Sequence, residues 1–308
     1  MPEIVRLDVS SGSFQALAAG PAGGPLALVL HGFPDIPPTF APLVDELAGR
    51  GFRVLAPWLR GYAPSTLTGP YDVETLADDV LAIADRVAAG RPVHLIGHDW
   101  GAVITYVACA AAPSRVAAAV TIAVPHPLAF LSAAARTRQL LRSWYVALFQ
   151  LPGAERLAAA HDFALIDRLW RTWSPGYRLP AALRDELHEC LRASWPAPLL
   201  YYRAIFRPLR PAVRRLRPTT GIGRRITVPV LYLHGADDGC VGWDAARGAE
   251  RHFAGRYRAE LIDGAGHFLP AERPREVAAR AAAWMADAGC VSGIRTGRVG
   301  GLTDRAGG

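Results

Sequence analysis

The apolar run Pro92-Val93-His94-Leu95-Ile96 leads straight into Gly97-His98-Asp99-Trp100-Gly101, and Ala102 to Ala112 follows as an Ala- and Val-rich stretch of helix length. A strand that turns at once into a helix forces its corner residue into a crowded backbone conformation. Glycine two positions to either side removes the side chains that would collide there. Asp99 is therefore expected at the carboxyl end of a strand, beside a helix N-terminus. An aspartate that merely caps a helix would give the same five letters, so the rest of the chain decides what this corner is for.

Either side of the corner, strand and helix patterns alternate. Residues 3–19 alternate apolar and polar, as in a half-exposed hairpin at a sheet edge. Pro25 to Leu30 is a continuous apolar run suited to a buried strand, and it ends in His31-Gly32-Phe33-Pro34-Asp35, a tight turn whose N–H groups can face a pocket. A helical stretch from Thr39 to Arg50, a strand from Phe52 to Ala56 and an amphipathic helix from Val73 to Ala89 precede the corner. A strand from Val116 to Val124 follows it. This rhythm implies a mostly parallel sheet flanked by helices, with sites at the carboxyl ends of strands.

Pro125-His126-Pro127 interrupts the rhythm. From Leu128 to about Thr220 the pattern is helical only, as in an inserted cap. The α/β alternation resumes at Val228 to Leu233, which runs into His234-Gly235-Ala236-Asp237-Asp238. A helix around Trp243 to Phe253 and a strand from Tyr257 to Ile262 come next. That strand ends in Asp263-Gly264-Ala265-Gly266-His267, and Arg275 to Ala288 reads as a closing helix. The expected division is a core over 1–125 and 222–288, a helical cap over 126–221, and a disordered tail over 289–308, which is Gly-rich with few apolar residues.

Composition narrows the chemistry. With 51% apolar residues the chain can build a sizeable core without metals or disulfides. Cys109, Cys190, Cys240 and Cys290 are scattered without a C-x-x-C pair, which speaks against a zinc site or a disulfide framework. No run approaches a membrane span, and Met1-Pro2-Glu3-Ile4-Val5-Arg6 lacks the character of a signal peptide, so a cytoplasmic protein is expected. The net charge of +7 comes entirely from arginine, without a single lysine. The arginines between Arg203 and Arg225 form no aromatic-interleaved patch or recognition helix, so no nucleic-acid partner is expected.

Asp99, Asp238 and His267 stand at three strand ends in the order followed by the nucleophile, acid and histidine of G-x-S-x-G hydrolases. Together with His31-Gly32-Phe33-Pro34, the helical insertion and Gly264-Ala265-Gly266-His267-Phe268, this resembles the α/β-hydrolase fold over about residues 1–288. The run Gly97-His98-Asp99-Trp100-Gly101-Ala102 is similar to that of epoxide hydrolases and haloalkane dehalogenases, whose nucleophile is a carboxylate. The resemblance implies that Asp99 attacks, that His267 activates water, and that Asp238, rather than its neighbour Asp237, orients the histidine. It assigns oxyanion donation to the backbone N–H groups of Phe33 and Trp100. His31, His98 and His126 are expected to hold loops.

The leaving group separates the two classes. Ser143-Trp144-Tyr145 to Pro152 and Pro198-Leu199-Leu200-Tyr201-Tyr202-Arg203 resemble the segments that carry epoxide-activating tyrosines, which implies that Tyr145 and Tyr202 donate to the ring oxygen, with Tyr201 the nearest alternative. Trp58, standing where aspartate is usual, Trp144 and Trp100 are expected around the substrate. The function implied is opening of a small apolar epoxide by water to a vicinal diol, with no cofactor and no metal and with a homodimer left open. A haloalkane or haloacid dehalogenase is the alternative, although Phe33 occupies the place of its usual halide-binding asparagine. A hydrolase-fold protein of specialised biosynthesis or ligand binding is the third reading.

Overall fold

Continuous apolar runs of strand length form the centre of a single eight-stranded sheet. The computed structural model describes residues 2–134, 137–207 and 223–294. In it β3 (Leu26–Leu30), β5 (Val93–His98) and β7 (Val230–Gly235) are buried at every residue. A strand covered on both faces needs no polar alternation, which is why these read as uninterrupted apolar runs. The other strands are β1 (Glu3–Val9), β2 (Gly12–Ala19), β4 (Arg53–Pro57), β6 (Val116–Ile122) and β8 (Tyr257–Ile262). Their order is β1-β2-β4-β3-β5-β6-β7-β8. The N-terminal hairpin joins β4 antiparallel, and every pairing from β4 to β8 is parallel. At the open edge, β1 buries Leu7 and leaves most of its other residues exposed.

Helices α1 (Ala41–Ala48), α2 (Val73–Ala88), α3 (Trp100–Ala111) and the closing helix Pro274–Ile294 accompany the sheet. Helix α2 starts where the Asp72 carboxylate accepts the Thr75 N–H at 3.2 Å, and it buries Val73, Leu76, Ala77, Val80, Leu81 and Ala84 at three-and-four spacing. Helix α3 is buried along nearly its whole length, as its Ala- and Val-rich sequence requires. Residues 289–294, expected to be tail, instead continue the closing helix. The remainder of that expected tail lies outside the described residues.

Between β6 and β7 the regular elements of the described residues are helices: α4 (Pro127–Ala134), α5 (Thr137–Arg142), α6 (Trp144–Leu148), α7 (Ala154–Trp173), α8 (Ala181–Ser194) and α9 (Ala197–Phe206), with a single β-bridge from Ile226 to Phe253 just before β7. The expected insertion also covers 208–221, which lie outside the described residues. Two local expectations are corrected. Strand β6 stops at Ile122 because Ala123 turns to a φ of 68°, where a ladder cannot continue. The helix expected over Trp243 to Phe253 is two short 3₁₀ turns, Trp243–Ala246 and Ala249–His252, separated by Gly248 in a left-handed conformation.

Candidate active site

The corner at Asp99 is as crowded as its sequence demands. Asp99 has φ 52° and ψ −116°, outside the usual regions for a residue with a side chain. A Cβ on Gly97 would lie 2.1 Å from the Gly101 carbonyl oxygen, and one on Gly101 would lie 2.2 Å from that of Leu30. The two glycines thus let strand, corner and α3 pass within contact of one another and of the end of β3. Asp99 is lifted to the carboxyl edge of the sheet, where the chain ends of β3, β7 and β8 also arrive.

From the end of β3, the turn through Gly32 brings the Phe33 N–H to 2.8 Å from Asp99 Oδ1. The other carboxylate oxygen, Oδ2, lies 3.6 Å from His267 Nε2, in the loop after β8. The opposite ring nitrogen, Nδ1, is 2.9 Å from Asp238 Oδ2, in the loop after β7. The remaining oxygen of Asp238 accepts the N–H groups of Cys240 at 2.7 Å and Val241 at 2.8 Å. Asp238 is thereby fixed and buried, whereas Asp237 is exposed to solvent. Burial opposes its ionisation, yet the charge and hydrogen bond of His267 hold the Asp238 carboxyl below the usual range.

The histidine feels the same opposition. Burial favours its neutral form, but the charge and hydrogen bond of Asp238, followed by the nearby Asp99 carboxylate, raise His267 to about 10. A pKa raised on folding contributes stability that is complete below the unfolded value, about 6.5, and is lost as pH rises through the folded one. The melting temperature of the native chain should therefore exceed that of a His267→Gln variant most at mildly acidic pH. The gap should narrow steadily toward pH 10. A gap that widened with pH would contradict this charge assignment.

The flanking histidines behave as structural groups. His31 Nε2 accepts the Leu59 N–H at 3.1 Å, and burial pulls this residue down to about 4. His98, pulled down to about 3 by burial, donates from Nε2 to the His267 carbonyl at 2.9 Å. His126 stacks on His252 with ring centroids 4.4 Å apart.

Helices between β6 and β7 bring two tyrosines beside this group. Tyr145 in α6 and Tyr202 in α9 are both buried, with rings edge to face and centroids 5.7 Å apart. The hydroxyl of Tyr145 lies 3.3 Å from Cys240 Sγ, while that of Tyr202 has no hydrogen-bond partner among the described residues. The Tyr202 ring also packs edge to face against Phe33 and Trp100, both 5.2 Å away between centroids. Burial first, and then neighbouring negative charge including that of Asp99, pushes both phenols well above their ordinary range. Both stay protonated hydrogen-bond donors at any physiological pH. Tyr201 instead donates its hydroxyl to the Arg60 carbonyl and packs its ring on Trp100.

Two of the expected substrate-side tryptophans are not brought into this group. Trp144 is 43% exposed and touches Tyr145 only at a centroid distance of 6.4 Å, because it lies on the outer side of its short helix. Trp58 is buried beyond the end of β4, and among the described residues no hydrogen bond or ring contact ties it to Asp99, Tyr145 or Tyr202. In their place stand aromatic residues that no sequence signal marked. Trp173 sets its ring 4.9 Å from Tyr145 and 5.1 Å from His267, and Phe149 packs against Phe33, Tyr145 and Tyr202. Only their place in helical segments rich in aromatics hinted at them.

A carboxylate raised on a glycine-flanked corner, a histidine–aspartate pair and a backbone donor at the ends of parallel strands define a hydrolase site. The profile described as the alpha/beta hydrolase fold matches residues 25–274, and the chain belongs to that family. Within it the chain is of the epoxide hydrolase-like group. It is 30% identical to Epoxide hydrolase A of Mycobacterium tuberculosis over 89% of this chain and 94% of that one. It is 29% identical to Epoxide hydrolase 4 of Homo sapiens over 88% of this chain and 75% of that one. Among solved structures, Epoxide Hydrolase A from Mycobacterium thermoresistibile superposes with a TM-score of 0.78 at 27% identity, covering 93% of this chain and 98% of the other.

Proposed function

We propose that the protein hydrolyses small apolar epoxides to vicinal diols through an ester on Asp99, with the helical insertion as the cap over the site. The observation that carries this reading is the Asp99 carboxylate itself. One oxygen rests on the Phe33 N–H, the other faces His267 Nε2, and two protonated phenols lie buried above. A carboxylate can displace at saturated carbon and leave an ester that water cleaves; a serine there would leave an inert ether.

Asp99 Oδ2 attacks one ring carbon, the C–O bond to that carbon breaks, and the ring oxygen takes a proton from Tyr145 or Tyr202. A general acid of this kind is worth roughly 10²–10⁴ in rate. The hydroxyl of Tyr202, with no hydrogen-bond partner among the described residues, gives up no bond to them to do so. Forming the ester removes the negative charge beside His267, and with it one of the two carboxylates that hold its proton. The histidine then gives up its proton, which passes through solvent to the tyrosinate left by ring opening, and becomes a usable base. It takes a proton from water, the hydroxide adds to the ester carbonyl carbon, and the developing oxyanion is met by the N–H groups of Phe33 and Trp100. Collapse expels the diol oxygen, which is protonated by His267, and the Asp99 carboxylic acid left behind passes its proton to His267, restoring the resting charges. Asp99 is restored with one new oxygen from water.

A panel of terminal and internal epoxides alongside haloalkanes and haloacids tests the reading. Diol from epoxides without halide from the others is expected. Halide release with epoxides untouched would replace the reading with a dehalogenase, and inertness to both would point to ligand binding or a biosynthetic step.

A further inference from the structure

We infer that Ser174 and Glu272 are positioning residues for the second half of this reaction, forming a clasp that ties the base loop to the helical insertion. The inference rests on the proposed role of His267. Three consecutive backbone N–H groups, those of Gly266, His267 and Phe268, are each bound to the clasp. Gly266 donates to Glu272 Oε2 at 2.9 Å, His267 to the Trp173 carbonyl at 3.1 Å, and Phe268 to Ser174 Oγ at 3.0 Å. Ser174, fully buried at the end of α7, closes the ring by donating its hydroxyl to Glu272 Oε1 at 2.6 Å. The Trp173 carbonyl also accepts the N–H of Gly239, next to Asp238, at 3.0 Å. One short segment of the insertion therefore holds both the base loop and the acid loop.

The fit leaves no slack. A Cβ on Gly266 would lie 2.6 Å from Ser174 Cα, so the two segments already touch. Among the described residues none of these groups hydrogen-bonds to Asp99, which forms the ester, or to the Phe33 N–H that Asp99 accepts. His267 must instead be held so that Nε2 can reach a water beside the ester carbonyl, and its present 3.6 Å from Asp99 Oδ2 leaves little latitude. Misplacing a catalytic group by about 1 Å costs on the order of 10²-fold in rate. Loosening the clasp should slow ester hydrolysis by that order while epoxide opening continues, so the covalent ester accumulates.

The test compares Ser174→Ala, Glu272→Ala and Glu272→Gln with the native protein, using styrene oxide and 1,2-epoxyhexane with rapid quenching and intact mass. Melting temperatures establish folding; should the alanine variant at 174 not fold, Ser174→Cys makes the same comparison. The two alanine variants are expected to show ester build-up and a hydrolysis rate down roughly 10²-fold, with an unchanged opening rate. Glutamine can still accept from Gly266 and donate to Ser174, so Glu272→Gln should retain most of the hydrolysis rate. The double alanine variant should be no slower than the slower single one, since both break the same ring. Equal slowing of both half-reactions, slowing of neither, or a Glu272→Gln variant as impaired as Glu272→Ala would overturn the clasp. A native protein that forms neither ester nor diol with any epoxide would overturn the function on which it rests.

Discussion

Asp99→Ala protein should fold and be inert toward epoxides, its turnover lower by roughly 10⁴-fold or more, as when the attacking group of a covalent catalyst is removed. Alanine keeps a Cβ at the corner and adds no atom to clash at φ 52°, so the loss of turnover in a folded variant is chemical. No neighbouring acid can take over. Asp238 is held by His267 and two backbone N–H groups, and Asp35 is buried with its carboxyl pushed up to about 8, which leaves it largely protonated and a poor nucleophile. Circular dichroism and diol formation check the expectation. Turnover within tenfold of native in a folded variant would remove Asp99 from the chemistry.

Replacing both tyrosines is expected to have the next largest effect. Either phenol alone can cover in part for the other, so Tyr145→Phe and Tyr202→Phe should each lower kcat/KM modestly. The double variant should lose the whole contribution of a general acid, roughly 10²–10⁴-fold. Stability should move differently at the two positions. The Tyr202 hydroxyl is buried with no hydrogen-bond partner among the described residues, so deleting it should leave the melting temperature little changed, whereas Tyr145 loses its contact with Cys240. Comparing the two singles therefore separates the chemical role from the packing role. Full activity in the double variant would assign proton donation elsewhere.

The fold was legible wherever burial on both faces imposed a run of apolar residues, as in Leu26–Leu30 and Val230–Gly235, or where backbone crowding demanded glycine, as around Asp99. The site was legible where chain ends had to carry it: Asp99, His267, Asp238 and the Phe33 turn meet because parallel strands bring their carboxyl ends to one edge. The helical insertion was less legible because helical periodicity records which face is buried without recording against what. Trp144 and Tyr145 are adjacent in sequence, yet one faces solvent and the other the site. Trp173 acts partly through its backbone carbonyl, which leaves no mark on residue identity. The break in α7, where Ala160 is extended and His161, Asp162 and Phe163 are left-handed, contains no proline or glycine to announce it.

The ester on Asp99 is the central claim, and a His267→Gln protein is where it can be caught. Without the base, ring opening proceeds and ester hydrolysis stops. Intact mass after exposure to the epoxide panel should rise by the mass of one whole epoxide, and peptide mapping should place the gain on Asp99. An unmodified protein after every epoxide, or a gain mapped to a residue other than Asp99, would contradict the account.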